Sequence, residues 1–123
     1  MDFYQKVEEI IRADKRYKPD AYDFVMRALA FTQKKLKRQG HMSGKELLEG
    51  IRQFATEQYG PMALAVFQHW GITSTEDFGR IVFNMVTGGI MSKTEQDSAD
   101  DFKAVYDLKE VFDVFKIIND TKV

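Results

Sequence analysis

Trp70-Gly71-Ile72-Thr73-Ser74-Thr75-Glu76-Asp77-Phe78 is the stretch on which the reading of the fold turns. A glycine directly after an apolar helical run closes a helix, because glycine tolerates the left-handed conformation used at helix C-termini. Ser74 with Asp77 three residues on is a capping-box pattern, and it starts the next helix. Two helices joined by so short a turn resemble the corner of a helix-turn-helix, with Ile72 plugging the gap between them.

Working outward, Pro61 suits the first turn of the helix before the corner, about 61–70. Met62, Leu64, Val66, Phe67 and Trp70 lie around its whole circumference, which predicts a buried helix. Ser43-Gly44-Lys45-Glu46 is a second capping box and opens a helix over about 44–58, with Leu47, Leu48, Ile51, Phe54 and Ala55 inward. Further upstream, Phe3, Val7, Ile10 and Ile11 mark a helix over about 2–13, and Pro19 disfavours its continuation. A long helix of about 20–38 follows, closed by Gly40. Its last turn carries Lys34, Lys35, Lys37 and Arg38, where cations complement the helix dipole.

Downstream of the corner, Phe78, Ile81, Val82, Met85 and Val86 form the inward stripe of a helix over about 75–87, ended by Gly88-Gly89. Ile90 to Lys93 and Phe102 to Tyr106 alternate in part, and the polar Thr94–Asp101 stretch between them reads as a loop. Together they predict a small two-stranded β-hairpin. Asp107 caps a last helix of about 108–118. The expected fold is mainly α: a compact bundle of about six helices in one domain over 1–123, its C-terminal half winged-helix-like and carrying the hairpin.

Composition narrows the function. The chain has 123 residues, 44% of them hydrophobic, with ten Phe, five Tyr, six Met and one Trp, which is a globular and not a disordered composition. A net charge of -1 provides no global attraction to nucleic acid or to an anionic membrane. The absence of cysteine excludes disulfides, thiol nucleophiles and thiolate metal sites. No apolar run is long enough to span a bilayer, and Met1 to Lys6 lack the pattern of a signal peptide. The expectation is a cytoplasmic protein.

No catalytic constellation, cofactor motif or metal-ligand spacing is recognisable. The two histidines, His41 and His69, are 28 positions apart, so no local metal pair exists. Three surfaces remain as candidates. Phe83, opposite the inward stripe of its helix, together with Val114 and Ile117, forms a candidate apolar interface for a protein partner or a homodimer. Lys34, Lys35, Lys37 and Arg38 form a candidate nucleic-acid contact, although a solvated helix end favoured by the dipole explains them more simply. The acidic third helix and hairpin loop of the winged-helix-like half (Glu76, Asp77, Glu95, Asp97, Asp100, Asp101) disfavour DNA. Arg16, Tyr17, His41 and Arg52 form a candidate polar pocket for a small ligand or an enzymatic role. The leading expectation is a non-enzymatic interaction or regulatory module. Nucleic-acid binding and a ligand pocket stay open as alternatives.

The assembled residues resemble the small bacterial Minf-type hypothetical proteins, a family of uncharacterised function. The likeness covers most of the chain. It runs through Asp14, Arg16-Tyr17, Ala21-Tyr22, His41, Ser43-Gly44, Glu46-Leu47-Leu48, Trp70-Gly71-Ile72, Asp77-Phe78-Gly79 and Asp101-Phe102. The resemblance implies a bacterial cytosolic protein and supplies no activity, substrate or catalytic residue.

Overall fold

The computed structural model describes residues 1–40, 42–92 and 99–113. Five helices of more than one turn build the fold: α1 (Phe3–Ala13), α2 (Pro19–Leu36), α3 (Gly44–Tyr59), α4 (Ala63–His69) and α5 (Thr75–Thr87). A 3-10 turn, Gly60–Met62, joins α3 to α4, and a single helical turn forms at Leu108–Val111.

Capping chemistry sets most of the boundaries. Glu46 N–H donates to Ser43 Oγ at 3.1 Å, and Ser43 N–H donates back to Glu46 Oε1 at 3.0 Å, so the reciprocal box at the start of α3 is complete. Asp2 and Gln5 do the same for α1. The C-terminus of α2 differs from the expectation. The helix ends at Leu36, and the left-handed cap position is taken by Lys37, at φ 52°, three residues before Gly40. Arg38 N–H then returns to the Gln33 carbonyl at 3.0 Å, a closure that needs no glycine.

Helices α2 and α3 pack against each other as the central pair. Their approach depends on Gly50, where an added Cβ would lie 1.7 Å from Thr32 Oγ1. An aromatic cluster extends from this pair: Phe24 packs on Phe54, Tyr59, Phe67 and Trp70, and Phe67 reaches on to Phe78 and Phe112. Helix α4 is not buried all round. Ala63 and Phe67 face the core, while Met62 just before it is 60% exposed.

The expected β-hairpin and six-helix bundle are not what forms, and with them goes the winged-helix-like half. There is no strand among the described residues. In the first expected arm, the amides of Ile90 and Met91 both return to the carbonyl of Met85, so they close α5 and do not face a second strand. In the second arm, Phe102 ends a 3-10 turn, Ala99–Phe102. Its carbonyl accepts from Thr75 Oγ1 at 2.7 Å, and Val105 N–H donates to that same hydroxyl at 3.3 Å. The buried hydroxyl at the head of α5 thus takes the place of a strand partner. Phe102, 1% exposed, fills a slot flanked by Gly44 and Gly79. What read as alternation is one plug residue in a strap laid over α3 and α5. Of the expected helix over 108–118, the described residues contain the turn capped by Asp107 and the buried Phe112.

Candidate functional site

Arg16 and Tyr17, neighbours in the α1–α2 loop, engage two different carboxylates, Asp14 and Asp77. The α1–α2 loop lies on the turn between α4 and α5: Lys18 N–H donates to the Trp70 carbonyl at 3.2 Å. This brings the Tyr17 hydroxyl to Asp77, to which it donates a short hydrogen bond. Asp77 is 7% exposed. Its other oxygen accepts from Thr73 N–H at 2.8 Å and Ser74 N–H at 3.2 Å, as the reciprocal half of the α5 cap requires, and Arg80 Nη1 lies 2.9 Å from Oδ1. Burial alone would raise the Asp77 pKa. The hydrogen bonds from Tyr17 and from the two amides together outweigh it and hold the carboxyl below its usual range.

A second carboxylate sits beside the first. Arg16 grips Asp14 through Nε at 2.9 Å and Nη2 at 2.6 Å, and Asn84 on α5 donates to Asp14 at 3.0 Å and to the Tyr22 hydroxyl at 3.1 Å. The Arg16 hydrogen bond holds the Asp14 carboxyl far below the ordinary carboxylate range. The result is a polar clamp of two carboxylates and two arginines that joins α1, α2 and α5. Its acceptors are taken by neighbours in the chain, which suits a brace better than a reaction centre.

Arg52 does not join it. It forms a bidentate pair with Glu49 one turn away on α3, and the Tyr106 phenol lies near it. His41, the fourth member of the expected pocket, lies outside the described residues. Val114 and Ile117 of the expected interface lie outside them too. The third interface residue, Phe83, is half-buried with its ring edge-on to Phe102 at 6.3 Å. In the basic cluster, Arg38 pairs with Glu46 at 2.5 Å and Lys35 donates to Gln53, while the Lys34 and Lys37 side chains are exposed. Among the described residues, no three His, Asp or Glu side chains gather as a metal site, and no helix is long and apolar enough to cross a membrane.

The site that sequence reasoning missed is an apolar groove of about 310 Å³. Met26 and Leu29 of α2 form one wall, with Ile90 and Met91 after α5 also lining it. Buried Met42, Leu47, Val82 and Phe102 form its floor. Arg38 Nη2 lies 3.4 Å from Met42 Sδ, so a guanidinium stands at its edge. The methionines were legible only as generic core residues. Nothing local distinguishes a methionine lining a groove from one filling a core, because both are apolar positions turned inward.

The clamp makes a pH prediction. Burial raises the Tyr17 phenol above its ordinary 10.0, and the adjacent Asp77 carboxylate adds to this. Burial and the Glu49 carboxylate do the same for Tyr106, whose hydroxyl donates to the Leu48 carbonyl at 2.8 Å. Below pH 10 both phenols are neutral, folded or unfolded, and their contribution is fully present. Above pH 10 the unfolded chain ionises first, so stability falls as pH climbs toward the folded-state values. Tyrosinate absorbance followed together with helical circular dichroism should show these two tyrosines ionising only as helix is lost, with that amplitude removed in a Tyr17→Phe/Tyr106→Phe chain. Full ionisation with the helices intact would contradict the burial described above.

No family model matches the chain, and no curated protein and no solved structure matches it either.

Proposed function

We propose that the chain is a protein-interaction module whose recognition surface is the methionine-lined groove, and that it takes an apolar side-chain stripe from another protein. The observation that carries this reading is the open groove itself, with Met26, Met42 and Met91 on its lining. Unbranched, polarisable methionine side chains adapt to differently shaped partners, and apolar grooves between helices receive amphipathic segments. Phe83, singled out as an interface residue, backs the Phe102 floor. The polar candidates offer less support, since Arg16, Arg38 and Arg52 are each held by a carboxylate of the same chain. Resemblance to the Minf-type proteins is compatible with such a role and adds no chemistry to it.

The groove seats only two or three anchoring side chains, each contributing about 1.5–3 kcal/mol of burial, so only a small surplus is left over the cost of association. Affinity should therefore be modest, on the order of 1–100 μM. Helical peptides selected from a library against the folded protein, then titrated while the methionine methyl resonances are recorded, test this. The expected result is movement of the Met26, Met42 and Met91 signals and loss of binding in Leu29→Glu. Selected peptides that leave all three signals in place would remove the proposal.

A further inference from the structure

One aromatic ring of this chain already lies in the methionine-lined groove. Phe102 forms part of the groove's floor, and within the strap, residues 99–106, it is the one buried side chain. Its ring fills a slot that two glycines leave open. A Cβ added at Gly44 on α3 would lie 3.1 Å from the ring, and one added at Gly79 on α5 would lie 2.8 Å from it. The slot therefore has the width of an aromatic ring laid between two helix backbones.

The backbone that carries this ring is tied down at few points. Thr75 Oγ1 makes two of the ties: it donates to the Phe102 carbonyl at 2.7 Å and accepts from the Val105 N–H at 3.3 Å. The Ala104 N–H donates to the Glu76 carboxylate at 3.3 Å. Ala104 itself is held at φ 48°, a left-handed conformation that is unfavourable for any residue with a Cβ. That strain lasts only while the strap is seated. The 3-10 turn closes on itself through Lys103 N–H to the Asp100 carbonyl, so it can lift as a unit. Beyond it, the Tyr106 hydroxyl on the Leu48 carbonyl gives the strap a fixed end to pivot on. We propose that Phe102 is an autoinhibitory plug: it fills the aromatic subsite of the groove from within the chain, and an aromatic side chain of the partner displaces it by lifting the strap. The partner's chemistry is that of the ring now in place. The inference rests on the groove being the recognition surface. Because the strap must open first, the apparent affinity is the intrinsic one reduced by the open fraction, and loosening the strap tightens binding.

The helical peptides selected on the groove are the probe, each paired with a version whose aromatic positions are leucine. Peptides that move the methionine signals should carry Phe, Tyr or Trp at one anchor, and leucine there should weaken binding at least about fivefold. On binding, the Phe102 ring resonances should move to solvent-exposed positions. Two strap variants then act with opposite signs. Thr75→Val removes the shared hydroxyl, so it should lower the thermal midpoint yet tighten binding about three- to tenfold, and Thr75→Ser should reverse both effects. Ala104→Gly relieves the left-handed strain, so it should raise the midpoint and weaken binding about threefold. If Thr75→Val does not fold, the stabilised Ala104→Gly chain carries the test. Variants that shift the midpoint and leave affinity unchanged overturn the inference, because a purely structural strap behaves that way. So do peptides that move the methionine signals while the Phe102 ring stays in place, an outcome that leaves the groove as the recognition surface. Peptides that leave the methionine signals unmoved remove both.

Discussion

Replacing Gly71 with alanine is expected to destabilise the fold by about 3–5 kcal/mol, from two penalties that act at once. Gly71 sits at φ +90°, where a side chain costs roughly 1–2 kcal/mol. An added Cβ would also lie 2.2 Å from the Arg16 carbonyl oxygen. That neighbour is backbone, so no rotamer change relieves the overlap, and the α1–α2 loop must withdraw. Withdrawal loosens the Lys18 amide from Trp70 and pulls the Tyr17 hydroxyl away from Asp77. A hydrogen bond to a buried charge is worth roughly 1.5–3 kcal/mol. For a chain of this length the midpoint of thermal unfolding should fall by about 10–25 °C. A loss under about 1 kcal/mol would mean that the loop does not rest on this turn.

Phe67→Ala should cost about as much for a different reason. Phe67 is fully buried and makes edge-on contacts with Phe24, Trp70, Phe78 and Phe112 at centroid separations of 5.2–6.0 Å. These rings come from α2, the turn before α5, α5 itself and the end of the helical turn Leu108–Val111, so one truncation opens a cavity where four segments meet. Buried Phe→Ala changes cost about 3–5 kcal/mol, with each aromatic pair adding to the loss from burial. Phe67→Leu retains most of the volume and should lose less than half as much. Urea unfolding monitored by circular dichroism measures both, and equal losses for the two would show that packing at this position is not what matters.

The helices were legible wherever their signals were local. Ser43 with Glu46 and Ser74 with Asp77 are reciprocal boxes three residues apart, and both helices begin where those pairs put them. The strap was not legible, because the partner of its backbone is Thr75, 27 residues before Phe102. Apolar spacing over five residues cannot reveal that a plug and a turn have replaced a strand. The clamp was legible by half. Arg16 and Tyr17 stood out as a compact polar loop, but Asp77 read only as a cap. A carboxylate has two oxygens, and the one not occupied by the cap is the one Tyr17 finds 60 residues away. Arg52 was separated from them by a neighbour that was visible all along, Glu49 one turn earlier on α3.

The same Tyr17–Asp77 contact bears on how the chain reaches this structure. Helices α2 and α3 are adjacent in sequence and can pair early, since closing a short connection is fast. The clamp closes a loop of about sixty residues, whose entropy must be lost before the hydrogen bond repays it. A contact of that kind forms after the rate-limiting step more readily than before it. Its loss then accelerates unfolding while leaving the folding rate nearly untouched. The brace between the first loop and the fifth helix would in that case act on lifetime: it sets how long the assembled molecule stays closed, more than how quickly it assembles.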